Sequence, residues 1–79
     1  MATYYVSLSL SNSARLDDST MIRLLREAAE RAGCAHIEVS ARGLIVEAEA
    51  VSVQTLEEEL RFVLTVHGAE VDRVTATRI

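Results

Sequence analysis

Between His36 and Ala50 the chain alternates polar and apolar residues on both sides of Arg42-Gly43. Few local structures accommodate that pattern. Period two places successive side chains on opposite faces, so each arm is predicted to be a strand. The Arg42-Gly43 break is predicted to be a tight turn, with glycine supplying the positive φ. The resulting register sets Ala41 against Leu44, Val39 against Val46 and Ile37 against Ala48, all six on one face. A three-residue loop would set Ser40 against Leu44 and break the pattern. The same register sets Glu38 directly across from Glu47, and His36 across from Glu49. Like charges facing each other across a strand pair cost about 0.2–1 kcal/mol. A tolerated local cost of this kind marks a candidate site.

The rest of the chain supplies partners for this hairpin. Residues 3–11 alternate, with Tyr4, Val6, Leu8 and Leu10 on one face and Tyr5, Ser7, Ser9 and Ser11 on the other. They are predicted to form a strand. Residues 12–16 make a polar connection. Asp17, Asp18 and Ser19 are N-cap candidates for a helix whose apolar stripe is Met21, Leu24, Leu25, Ala28 and Ala32. Arg26–Glu30 and Glu27–Arg31 have i,i+4 spacing on its other face. Gly33 is placed to end it in the left-handed region. A second helix is expected from a Ser52 cap to Gly68, with the stripe Val53, Leu56, Leu60, Val63, Leu64 and His67. Phe62 and Val66 widen its apolar face, and Glu57, Glu58 and Glu59 complement the positive end of its dipole. Residues 71–79 return as a strand, with Val74 and Ala76 inward.

The order is therefore β-α-β-β-α-β, and the two halves match at an offset of 35 residues: Leu25 on Leu60, Ala28 on Val63, Gly33 on Gly68, Val39 on Val74. The chain resembles an α+β ferredoxin-like sandwich spanning residues 1–79 as one domain. That resemblance implies a four-stranded antiparallel sheet in the order 4-1-3-2, with both helices on one face and the other face open.

Composition narrows the function. The 79 residues carry a net charge of −4, with 49% apolar residues, no proline and eight basic residues that are all arginine. One core is expected. The negative charge disfavours direct nucleic-acid binding and an anionic membrane surface. No apolar run approaches the ~18 residues of a membrane span, and no signal peptide is visible. A single cysteine, Cys34, precludes an internal disulfide and fits a reducing, cytoplasmic setting. Cys34 and His67 lack the third orienting group that a nucleophile pair needs, and Cys34 reads as a small buried residue.

On the open face the expected order gathers Glu38, Glu47 and Glu49, with His36 at the margin and Tyr5 nearby. These five residues are the candidate partner-binding set, an acidic docking face for a basic protein. A solvated sheet face is the competing reading. The His and Glu spacing matches no metal motif, and no metal, cofactor or catalytic residue is expected. Arg15 reads as a surface arginine, because no glycine-rich phosphate loop surrounds it.

Arg42-Gly43-Leu44-Ile45-Val46 resembles the third strand of an RNA-recognition motif. That family stacks bases on aromatic residues where this chain has Ile45 and Glu47. The connection after the first strand lacks the cysteines of heavy-metal-associated domains, the phosphate loop of acylphosphatases and the glycine of amino-acid-binding regulatory domains. In size, acidity, absence of lysine and α+β compactness, the whole chain resembles the small phage-encoded anti-CRISPR inhibitors. That profile implies non-enzymatic binding to a CRISPR effector, for example a type I surveillance complex, at a basic surface that holds DNA. No residue's role is carried over from it. A structural or designed ferredoxin-like domain without ligand is the alternative. A monomer is expected, since three glutamates make the open face a poor surface to bury against a second copy.

Overall fold

A computed structural model of the chain describes residues 1–12 and 16–79. Its elements are β1 (Ala2–Asn12), α1 (Asp18–Arg31), β2 (Ala35–Ser40), β3 (Gly43–Ala48), α2 (Ala50–Val66) and β4 (Glu70–Arg78). The fold is α+β. The strands form one antiparallel sheet in the order β2-β3-β1-β4, the expected order read from its other edge. α1 packs over β2 and β3, α2 packs over β4, and the helices pack on each other. Arg15 lies outside the described residues.

Amphipathic patterning accounts for the core. The predicted stripe residues Met21, Leu24, Leu25, Ala28 and Ala32 of the first helix are buried, as are Val53, Leu56, Leu60, Val63 and Leu64 of the second. They form one cluster with Val6, Leu44 and Val46 from the sheet. α1 begins at the expected acidic cap: the Asp17 carboxylate accepts from the Thr20 amide at 2.7 Å. Hydrogen bonds from the Thr20 side chain and amide hold the Asp17 carboxyl below its ordinary value of 3.8. Its stabilisation is therefore in full force above that range, and is lost as pH falls through the lowered value. Glu27 pairs with Arg31 at 3.4 Å, and Arg31 reaches Glu59 of α2 at 3.9 Å.

The repeat in the sequence is a repeat of helix exits. At the end of α1, Gly33 N–H donates to Glu30 O and Cys34 N–H to Ala29 O, both at 3.1 Å. At the end of α2, Gly68 N–H donates to Thr65 O at 3.1 Å and Ala69 N–H to Leu64 O at 2.9 Å. Both are Schellman closures, in which a left-handed residue satisfies the last carbonyls. Gly33 and Gly68 have φ of 82° and 87°, and a Cβ at either would meet nothing within 4 Å. Conformation, not space, requires glycine there.

Gly43 is the opposite case, and it corrects the expected hairpin. It is a strand residue without positive φ, and the turn is Ala41-Arg42. Ser40 faces Gly43 and Val39 faces Leu44, a two-residue shift that preserves which side chains point inward. A Cβ on Gly43 would lie 2.6 Å from the Val6 carbonyl oxygen. Glycine is needed because β1 passes so close. Further along, Ala35 faces Glu47 while Glu38 faces Ile45, so His36 and Ile37 together oppose Val46. This is a bulge, with His36 at φ 48°.

α2 also differs from expectation. It starts at Ala50 with Glu49 as N-cap, whose side chain makes no capping hydrogen bond. Ser52 lies inside the helix. β3 ends at the buried Ala48, which leaves one residue between strand and helix and no room for a separate capping loop. Glu57 to Glu59 consequently lie beyond the first turn, where a dipole contribution has faded. Phe62 and Val66 are 62% and 65% exposed instead of widening the core face. Each is two residues, about half a helical turn, from a buried leucine. His67 is exposed too, its Nδ1 2.9 Å from the Val63 carbonyl oxygen.

Two results are expected. Leu25→Ala and Leu60→Ala each cost about 2–5 kcal/mol in denaturant unfolding, the range for leucines truncated in a packed core. Gly43→Ala costs about 1–3 kcal/mol through steric overlap with β1. A Gly43→Ala protein as stable as the parent would contradict the close approach.

Candidate docking face

The helices cover one side of the sheet and leave the other open. Alternation along each strand decides which side chains reach the open side. β1 sends Thr3, Tyr5, Ser7 and Ser9 there. Across the sheet, Tyr5 lies between Thr77 of β4 and Ile45 of β3, and Ile45 lies beside Glu38 of β2. The next row is Thr75, Ser7, Gly43 and Ser40. Arg73 faces Ser9 at the far corner.

Tyr5 holds the centre and is 42% exposed. Its hydroxyl oxygen lies 3.4 Å from where a Gly43 Cβ would stand. A Cβ on Gly43 would stand in ordinary van der Waals contact with the ring's polar end. Tyr5, Glu38, Ser40, Gly43 and Ile45 border a shallow depression of about 240 Å³. Phenol, isoleucine and carboxylate thus share one patch.

The five expected residues are only partly brought together. Tyr5, Glu38 and Glu47 are on the open side. Glu38 and Glu47 do not face each other: the bulge sets Ile45 opposite Glu38, and Glu47 instead lies 3.3 Å from His36, Oε2 to Nε2. The repulsion expected from the simple hairpin is replaced by an exposed pair that attracts whenever His36 is protonated. His36 does not face Glu49. Glu49 has left the sheet for the N-cap of α2, where it borders a different hollow with Met1, Tyr4 and Arg78. Ile45 and Thr77 belong to the patch through their register with Tyr5. Their outward parity was legible in the sequence, although charge alone drew the candidate set.

Among the described residues, no group of three or more His, Cys, Asp or Glu side chains is placed to hold a metal ion. Cys34 is half-buried, and burial pushes its thiol pKa up, away from the thiolate a nucleophile needs. Among the described residues, no helix is long and apolar enough to cross a membrane. In comparisons with known proteins, no family model and no curated protein matches this chain.

The corrected register has a thermodynamic signature. A double-mutant cycle on Glu38→Gln and Glu47→Gln is expected to be additive within about 0.5 kcal/mol, as for residues without a shared contact. Glu47→Gln alone is expected to shift stability by less than about 1 kcal/mol, because the His36 pair is exposed. A clear stabilisation that vanishes when Glu38 is already Gln would restore the direct opposition of the two carboxylates.

Proposed function

We propose that this chain is a ferredoxin-like, non-enzymatic protein-binding module whose open sheet face docks on a partner with a basic surface. The observation that carries the proposal is the patch around Tyr5. An exposed aromatic ring stands at the middle of an uncovered sheet beside Ile45, with Glu38 and Glu47 on its β2–β3 side. Protein interfaces favour tyrosine as an anchor that supplies contact area, and charged groups belong to the rim around it. The carboxylates and the net charge of −4 direct the choice of partner toward basic surfaces, through steering and charge complementarity. The non-enzymatic reading is carried by the sequence, which holds no catalytic motif.

The narrower target is a CRISPR effector, with the glutamates occupying positions of nucleic-acid phosphates. That choice rests on the size, charge and compactness that the chain shares with anti-CRISPR inhibitors. The test is a pull-down against type I surveillance complexes, followed by competition with target DNA. Capture that falls as salt rises, is lost in Glu38→Arg/Glu47→Arg and is weakened about tenfold in Tyr5→Ala supports both the class and the face. Glu49→Arg is expected to bind nearly as the parent does, since Glu49 lies at the helix N-cap. Failure to capture any surveillance complex overturns the CRISPR target. Capture that survives the double reversal overturns the face.

A further inference from the structure

The two edges of the sheet are unequal. β2 is a six-residue strand interrupted by the bulge at His36, a combination that discourages a further strand. β4 has nine residues, no proline and, among the described residues, no strand on its outer side. Its register with β1 shows which of its main-chain groups are free. Ile79 N–H donates to Thr3 O at 2.9 Å across the same ladder that pairs Thr77 with Tyr5 and Thr75 with Ser7. Antiparallel ladders alternate, so the odd residues from Arg73 to Ile79 turn their main-chain groups to β1. Val74, Ala76 and Arg78 turn theirs to the open edge. Irregular pairing begins only beyond Ser9–Arg73, and Arg61 of α2 reaches Val71 O at 3.4 Å at the start of the strand.

We propose that β4 pairs antiparallel with β4 of a second copy about a two-fold axis at Thr75, joining two sheets into one of eight strands. Charge complementarity selects a second copy as the occupant. The strand begins acidic, at Glu70 and Asp72, and ends basic, at Arg78. An antiparallel copy reverses that order and brings unlike charges together. With the axis at Thr75, Val74 lies opposite the partner's Ala76, and both present free N–H and C=O groups. Arg73 comes opposite the partner's Thr77, and the two Thr75 side chains meet at the axis. Asp72, the extra residue of the bulge between Arg73 and Val71, comes level with the partner's Arg78. A one-residue slip would set the free groups of one copy against the occupied groups of the other. Moving the axis to Ala76 would leave Arg78 opposite Val74 and break the charge match. The pairing is isologous, so each contact forms twice and the assembly closes as a dimer. Carboxylates on the open face disfavour association through that face. The β4 edge leaves it uncovered, and the dimer would display two Tyr5 patches on one side of a continuous sheet.

The test is sedimentation of the full chain over a range of concentrations, with reductant present so that Cys34 cannot link copies. A reversible dimer at twice the 8.7 kDa chain mass is expected. Ala76→Pro removes an N–H that faces the open edge and no bond to β1, so it should dissociate the dimer while far-ultraviolet circular dichroism stays unchanged. Arg78→Asp should raise the dimer dissociation constant about tenfold or more, and Asp72→Arg/Arg78→Asp should restore it to within about threefold of the parent. Glu38→Arg/Glu47→Arg should leave the dimer intact, which separates this proposal from the docking face. A chain that stays monomeric up to about 1 mM, or a dimer indifferent to both Ala76→Pro and Arg78→Asp, overturns the pairing. A charge swap that fails to restore association overturns the Thr75 register.

Discussion

β1 runs between β3 and β4, and its contact with β3 at Gly43 constrains much of the remaining structure. The Val6 carbonyl lies where a Gly43 Cβ would be, while Val6 itself is fully buried beneath the helices. One short stretch therefore positions the core on one side of the sheet and Tyr5 on the other. The close approach also makes Gly43 the first residue of β3 and leaves Ala41-Arg42 as the turn. The Arg42 carbonyl then accepts from Leu8 N–H at 3.1 Å, which extends β1 alongside the hairpin.

Much of this architecture was legible because helical and strand periods leave different traces. The buried stripes from Met21 to Ala32 and from Val53 to Leu64 follow from spacing alone. Gly33 and Gly68 stand out in the sequence as helix ends, and the structure supplies the reason: each closes a Schellman motif at the same offset in its half of the chain. The order of the strands followed from chain order, short connections and crossover handedness.

The hairpin register was not legible, for a definite physical reason. Alternation has period two, so pairings that differ by two residues put the same side chains on the same face. Val39 meets an inward residue whether it faces Leu44 or Val46. A glycine required by a neighbouring strand looks in sequence like a glycine required by a turn. Nothing in Ala35-His36-Ile37 announces a bulge, since His36 at φ 48° is a choice made by the tertiary ladder. The candidate site inherited that ambiguity. Tyr5 and the outward direction of Glu38 and Glu47 survive, while the Glu38–Glu47 opposition gives way to a His36–Glu47 pair and Glu49 moves to α2. The docking proposal consequently rests on an aromatic centre with acidic flanks, in place of three clustered glutamates.

Interstrand backbone nuclear Overhauser effects between β2 and β3 test this account most directly, because the register sets both the close approach at Gly43 and the layout of the open face. The account predicts cross-peaks linking Ser40 with Gly43 and Glu38 with Ile45. Cross-peaks linking Ala41 with Leu44 and Glu38 with Glu47 would contradict it.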